Sequence, residues 1–298
     1  MHISTSRAAD LLALVTLCTG AVFGCGSERE AGSTAEIAGN RARQVAAAWD
    51  GSQAADAWRA GYYPMGGAVQ LPLGGLRSQA DKRAYEAQNL LLQGELPTTW
   101  PKDGRVTWAG GTSLTRPLLG AKTAYTALAR SRVEAKPHLT VTGAQLGEMT
   151  LATSRGPATV PAWLFTVRGY DAPLKIAAAD PSKLPGSPIR PARDIPAGQL
   201  APLDRLVQIE EDRRSLTVIA IHGACDDGPA VDVLETRGSV VLSASVKDPK
   251  TGNCTAQAKT KHVTVKLERP VHDRVLLDAY TGRPVPYGHP NEPSPSWS

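Results

Sequence analysis

The stretch His262-Val263-Thr264-Val265-Lys266-Leu267-Glu268 alternates strictly between polar and apolar side chains. Successive side chains of a β-strand point to opposite faces, so this pattern predicts a strand that covers a core with its three apolar residues. The other four residues then face water. The most basic stretch of the chain is thereby explained as the wet face of one strand.

The residues around this stretch have the same strand chemistry. Runs of Thr, Val, Leu and Ile alternate with turn residues between residues 203 and 288. The predicted strands are 206–209, 216–221, 231–235, 240–246, 256–259, 263–267 and 275–277. This number of short strands predicts a C-terminal β-sandwich or open barrel.

The N-terminal part of the chain begins with helical patterns. Apolar residues recur at spacings of three and four, which predicts helices over 35–49, 52–60 and 78–92. Asp50 followed by Gln53 resembles a capping box at the start of the second helix.

From Arg105 onward the pattern changes to that of strands. The predicted strands are 105–108, 123–129, 139–142, 149–153, 159–167 and 174–178. Pro161 predicts a sheet edge or a bulge in its strand, because proline cannot donate to a ladder. The whole chain is therefore predicted to be α+β, mainly β with an N-terminal helical segment, and to contain two β units.

Residues 181–202 contain six prolines and almost no apolar pattern. This composition predicts a semi-extended linker between two domains, and a polyproline ligand segment is the alternative. The predicted division of the chain is signal peptide 1–24, tether 25–34, helical segment plus β domain 35–180, linker 181–202, C-terminal β domain 203–288 and disordered tail 289–298.

The N-terminal residues predict where the protein is located. An apolar run over 11–24 follows Arg7 and is too short to span a bilayer, which predicts a cleaved secretory signal peptide. Its end, Val22-Phe23-Gly24-Cys25, resembles the lipobox of bacterial lipoproteins, whose cysteine is diacylated and becomes the new N-terminus. The resemblance implies that Cys25 is lipidated and that the protein is extracytoplasmic, anchored to the outer face of the cell membrane. Signal cleavage nearby without lipidation is the alternative.

The remaining cysteines agree with export. Cys18 leaves with the signal peptide and Cys25 is consumed by lipid, so Cys225 and Cys254 remain as one pair. An oxidising compartment predicts a disulfide between them. Closing a loop of about 30 residues stabilises the fold by roughly 3.5 kcal/mol in the chain-entropy model.

Catalytic signatures are absent from the sequence, which has no nucleophile elbow, paired-histidine zinc helix, Walker loop or dinucleotide fingerprint. The densest polar cluster is the loop 222–228, interpreted as a turn fixed by Cys225. The alternatives are a surface hydrolase site near His222 and Asp226, and a metal or redox site that adds Cys225 and Asp227. No second Cys/His cluster supports a metal, so neither a metal nor a cofactor is predicted.

Aromatic residues offer a second candidate site. The chain has only two Phe, and its Trp and Tyr residues are expected to form the core between the helices and the first sheet. If Trp58, Tyr62 and Tyr63 lay exposed together, they would instead stack on sugar rings as a carbohydrate-binding module does. The six aromatic residues of this set are Trp49, Trp58, Tyr62, Tyr63, Trp100 and Trp108.

Several segments, in order along the chain, resemble a group of uncharacterised lipoproteins of filamentous actinobacteria. They are the lipobox, residues 48–64 with Trp58-Arg59-Ala60-Gly61-Tyr62-Tyr63-Pro64, the stretch 159–167, and 273–286. The resemblance covers most of the mature chain and implies an envelope location, but this group offers no activity or site residues.

The bulk composition, with 42% hydrophobic and 20% charged residues, is typical of a globular chain, and its net charge of +5 is spread along the sequence. No nucleic-acid partner is predicted. We expect a lipid-anchored envelope protein, binding or structural rather than enzymatic. Its expected partners are the membrane and either a cell-wall polymer or another envelope protein.

Overall fold

The computed structural model describes residues 27–129, 137–249, 255 and 257–288. Within these ranges the chain is α+β, mainly β with an N-terminal helical segment, as the sequence predicts. The predicted signal peptide 1–24, Cys25 and the tail 289–298 lie outside the described residues. The described helices are α1 (Ser27–Trp49), α2 (Gln53–Ala60), α3 (Gln79–Glu86) and α4 (Ala121–Leu128). None of these helices combines the length and the apolar character that crossing a membrane requires.

The first unit is built on one seven-stranded mixed sheet. Its centre is a long hairpin that turns at Ser154 and Arg155. The strands are β1 (Val69–Gln70), β2 (Leu90–Leu92), β3 (Asp103–Trp108), β4 (Ser113–Pro117), β5 (Leu139–Thr153), β6 (Gly156–Val167) and β7 (Leu174–Ala177). β2 pairs in parallel with β5, β5 pairs with β6, and β6 pairs with β3 and β7 along different parts of its length.

Pro161 lies inside this sheet, so the predicted edge strand or bulge is wrong at this position. The Pro161 carbonyl accepts a hydrogen bond from Ala178 N–H at 2.8 Å. Because the N and C=O of a strand residue point to the same side, the Pro161 nitrogen faces that side as well. There β3 pairs with residues 158–159 and β7 with residues 162–165. Pro161 falls in the gap between these two strands, and its missing donor breaks no ladder hydrogen bond.

The second unit contains two sheets in a sandwich-like arrangement. One has the strand order β10-β11-β13-β14 and the other β12-β9-β8, with β9 in contact with β10 and β11. The strands are β8 (Leu203–Ile209), β9 (Ser215–Gly223), β10 (Pro229–Glu235), β11 (Ser239–Val246), β12 (Ala258–Lys266), β13 (Val275–Asp278) and β14 (Arg283–Pro284). The predicted alternation is confirmed over the end of β12 and Leu267 just after it: Val265 and Leu267 are buried, Val263 is half-buried, and the polar residues between them are exposed.

Helices α1 and α2 complete the core of the second unit, whereas the sequence predicted that they pack on the first sheet. All residues of β11 except the last are buried, because α1 covers one face of the strand and β9 contacts the other. Trp49 at the end of α1 donates from Nε1 to the Gly282 carbonyl at 2.8 Å. The small side chains of α1, such as Ala38 and Ala42, allow its close approach to the sheet.

The bounds of the first three helices differ from prediction. α1 begins at Ser27 and takes up most of the predicted tether 25–34. The cap of α2 is Ser52, whose Oγ accepts from Ala55 N–H at 3.2 Å, and not Asp50. α3 ends at Glu86, and residues 90–92 of the predicted helix form strand β2 instead.

Residues 121–128 form helix α4, although a strand was predicted over 123–129. Their Thr and Tyr residues suggested β structure. The buried positions, Ala121, Ala124, Tyr125 and Leu128, follow helical spacing. Burial of one face therefore outweighs the local propensity.

The proline-rich segment 181–202 has no regular secondary structure, yet it is fixed to both units. Ser182 N–H donates to the Tyr62 carbonyl at 2.9 Å, and Ala192 N–H donates to the Tyr280 carbonyl at 2.8 Å. Leu200 is fully buried in the second core. The segment is thus a packed connection and not a free spacer.

The same substitution at a buried and an exposed leucine should separate core packing from local effects. Leu242 on β11 is fully buried and Leu73 is 94% exposed. We expect Leu242→Ala to lower the free energy of unfolding by about 2–5 kcal/mol, because it leaves a cavity. Leu73→Ala should change it by less than about 0.5 kcal/mol. Denaturant unfolding of both variants measures this, and equal effects would contradict the assigned core.

Candidate functional site

A cavity of about 790 Å³ opens in the first unit between α4, strand β2 and the segment that follows β2. Its wall is mainly apolar, and its polar residues are exposed to solvent. The apolar lining residues are Leu91, Leu92, Leu96, Pro97, Trp100 and Tyr125, and the polar ones are Glu95, Thr98, Lys122 and Thr126. The cavity volume lies within the range of small-molecule sites, about 300–1,000 Å³.

Hydrogen bonding and packing fix the wall where β2 meets α4. Tyr125 on α4 donates from its hydroxyl to the Leu90 carbonyl at 2.7 Å. The Tyr125 ring is tilted against Phe165 of β6, with the ring centroids 6.2 Å apart. β2 itself is held by parallel pairing with the start of β5. These contacts give the cavity a preformed wall.

Trp100 forms a second part of the wall. Its side chain packs edge-on against Trp163, with centroids 6.4 Å apart, and its Nε1 donates to the Leu118 carbonyl at 3.3 Å. A Cβ on Gly120 would lie 2.6 Å from the Trp100 ring, so the glycine allows this close approach. Trp100 remains 38% exposed. It is therefore a fixed indole that a ligand can reach.

The charges at the cavity are of opposite sign. Lys122 comes from the first turn of α4 and Glu95 from the segment after β2. Both are exposed, whereas Tyr125 in the wall is buried. An apolar wall with charged groups toward solvent suits a molecule with an apolar body and a polar end.

The structure brings His222 and Asp226 together, as one alternative from the sequence requires. His222 Nδ1 donates to Asp226 Oδ1 at 2.8 Å, and the same carboxylate accepts from Gly223 N–H and Gly228 N–H at 2.6 and 3.1 Å. Burial by itself would raise the pKa of Asp226, but these hydrogen bonds and the charge on His222 hold it below its usual range. Asp226 thus closes the turn of its own loop.

A hydrolase site of the covalent kind at this loop would need a nucleophilic side chain beside the base. In the described part of the chain, no Ser or Thr hydroxyl is hydrogen-bonded to the His222 ring. The neighbouring Cys225 is disulfide-bonded and has no thiol to offer. Its predicted partner, Cys254, lies outside the described residues, so the Cys225–Cys254 pairing stays a prediction. Within the described ranges, no group of three or more His, Cys, Asp or Glu residues could hold a metal ion.

Trp58, Tyr62 and Tyr63 are all buried, so a stacking platform built on them is a wrong expectation. Trp58 and Tyr63 stack on each other with centroids 4.1 Å apart and an interplanar angle of 10°. Tyr62 lies in the core of the first unit, and Tyr63 in the core of the second. Of the six aromatic residues singled out from the sequence, only Trp100 is exposed.

Sequence reasoning did not find the cavity. Leu91 and Leu92 fall in the predicted helix 78–92, and Tyr125 falls in the predicted strand 123–129. Lys122, Leu96 and Trp100 lie on separate segments that only tertiary pairing brings together. No spacing within the sequence signals this site.

Asp278 is a buried carboxyl of the second unit, 1% exposed. Burial raises its pKa to about 6, although Tyr280 N–H and Thr281 N–H donate to it at 3.0 and 3.3 Å. No ligand can reach a group so enclosed. Asp278 therefore influences stability and is not a candidate site.

The raised pKa predicts a pH-dependent stability. An unfolded Asp titrates near about 3.9, so the folded chain holds this proton more tightly. The stability it contributes is present below about pH 4 and is lost as the pH rises through about 6. Relative to wild type, Asp278→Asn should gain roughly 3 kcal/mol over that interval.

Denaturant unfolding at a series of pH values measures this gain, and Asp232→Asn, at an exposed position of β10, is the matched control. A constant difference between Asp278→Asn and wild type would show that Asp278 does not titrate in this interval.

Comparison with known proteins found no relative of this chain. The scan against family models found no match, and neither did the searches of curated proteins and of solved structures. The candidate site therefore rests on the geometry of the cavity and of the described residues around it.

Proposed function

We propose that this protein is a lipid-anchored, extracytoplasmic envelope protein that binds an amphipathic small molecule in the cavity of its first unit. The observation that carries the binding role is the cavity itself, about 790 Å³ with a mainly apolar wall. Leu91, Leu96 and Trp100 would contact the apolar body of the ligand. Lys122 and Glu95 would meet its polar end in solvent.

The lining residues favour binding over catalysis. They include neither His nor Cys, and their charged members, Glu95 and Lys122, are exposed. Catalytic acids and bases are commonly buried beside a charge partner that tunes their pKa. The apolar wall, in contrast, needs only to exclude water from an apolar surface to contribute affinity.

The envelope location is supported by the apolar run 11–24 and by the likeness of Val22-Phe23-Gly24-Cys25 to a lipobox. A protein held at the membrane would meet amphipathic molecules at high local concentration. The lipid anchor and the ligand cavity are tested by separate experiments.

A substitution that fills part of the cavity should weaken ligand binding. Thr98 lines the cavity and is exposed, whereas its neighbour Thr99 is exposed but does not line it. We expect a dansyl-labelled long-chain fatty acid to bind with a blue shift of its emission. Thr98→Trp should weaken this binding at least about tenfold, because the indole occupies apolar contact area. Thr99→Trp should leave it unchanged.

Fluorescence titration of wild type and both variants measures their affinities for the labelled fatty acid. Absence of saturable binding to the wild type would remove the proposed ligand class. Equal affinity in all three proteins would place the bound probe elsewhere.

Lipidation should be visible in the intact mass of the protein produced in a bacterium with a lipoprotein pathway. We expect a mature chain that starts at Cys25 and carries a diacylglycerol. Cys25→Ser should lack this increment, since it removes the thiol to which the diacylglyceryl group is attached. An unmodified Cys25, or an N-terminus at another residue, would contradict the anchor.

A further inference from the structure

Leu73 is the most exposed large hydrophobic residue of the described chain. Four such residues are clearly exposed there, namely Leu71 at 39%, Leu73 at 94%, Trp100 at 38% and Leu119 at 37%. Trp100 lines the cavity, and Leu119 accepts a hydrogen bond from Trp163, which packs against Trp100. Leu73 stands apart from this group, on the connection between β1 and α3.

The Leu73 side chain is presented by an ordered turn. Gly75 N–H donates to the Pro72 carbonyl at 2.8 Å and closes the turn. Gly74 and Gly75 have φ values of 84° and 75°, in the left-handed region that glycine adopts without strain. We call residues 71–76 the Leu73 turn.

The Leu73 turn is held on both sides. Before it, β1 pairs with β7. After it, Leu76 is buried in the first core. The nearly complete exposure of Leu73 is therefore a property of the fold and not of a loose segment.

The residues beside the turn are those that suit a membrane surface. Lys82 and Tyr85 of α3 line a small cleft against the turn. The Arg77 guanidinium lies 5.1 Å from the centre of the Tyr170 ring and pairs with Asp171. Tyrosine and long cationic side chains are favoured at the level of lipid headgroups.

The small apolar surface of the Leu73 turn favours lipid over a protein as its partner. A specific protein interface needs about 1,000 Å² of buried surface with shape complementarity, far more than one leucine and the edge of a second can supply. Lipid requires no complementary shape. Near the turn, the charges of Arg77, Lys82 and Arg83 are balanced in number by those of Asp81, Glu86 and Asp171, so attraction to anionic lipid is not the driving force.

We propose that the Leu73 turn inserts into the outer leaflet of the membrane and orients the first unit on it. This inference rests on the proposed envelope location but not on the proposed ligand. One leucine gives modest affinity, so the lipid on Cys25 supplies proximity and the turn sets orientation.

A fluorophore at residue 73 tests the insertion. The full-length chain with Leu73→Cys is labelled with a nitrobenzoxadiazole dye and bound to vesicles of phosphatidylcholine, with and without phosphatidylglycerol. The matched control is Gly110→Cys in the β3–β4 turn, where a Cβ would meet nothing within 4 Å. We expect a blue shift and quenching by nitroxide-labelled lipid at residue 73, equal in both lipid mixtures, and neither effect at residue 110.

Three results would overturn the proposal: no shift at residue 73, equal shifts at both positions, or a shift that requires phosphatidylglycerol. The intact mass of the same sample reports whether Cys25 carries lipid, so failure of the anchor is recognised separately. For a chain without lipid, a C-terminal histidine tag and a nickel-chelating lipid in the vesicles supply the proximity, and the same difference between residues 73 and 110 is expected. No difference would overturn the insertion.

Discussion

At one connection between the two units of this protein, the side chains of two adjacent residues enter different cores. Tyr62 is buried in the first unit, and Tyr63 stacks on Trp58 in the second. The backbone between them is fixed as well, because Ser182 and Ser154 N–H groups donate to the Tyr62 and Tyr63 carbonyls at 2.9 Å. Neighbouring side chains of extended backbone point to opposite sides, so neither ring can move without disturbing the other core.

The two units are not consecutive in the sequence, and the chain passes from one to the other at the junction formed by Tyr62 and Tyr63. Helices α1 and α2 precede the first sheet, yet they cover β11 of the second unit. The chain then passes through Tyr62 and Tyr63 into the first unit and returns along residues 181–202, which remain packed throughout. The cavity lies at the far edge of the first sheet, beside β2. A ligand site there can vary without disturbing the junction.

Local patterns predict the second unit well, because β12 has one face toward the core and one toward water, and β11, which is covered on both faces, is a run of mainly small and β-branched residues. The alternation of 262–268 and the runs near β9, β10 and β11 carry that information in neighbouring residues. The predictions were wrong for residues 90–92 and 123–128, since their structure depends on pairing with β5 and on burial of one helix face. The cavity could not be predicted, because Leu96, Trp100 and Tyr125 meet only through these same nonlocal contacts.

The early start of α1 has a mechanical consequence. The helix begins at Ser27 and runs for 23 residues, or about 35 Å at 1.5 Å per residue, and its residues from Ala38 to Trp49 pack against the second core. With Cys25 as the acylated residue, only Gly26 separates the lipid from this stiff rod. The folded part of the protein would then have little freedom to move away from the bilayer or to tilt on it, because the helix next to the lipid also packs on the second core.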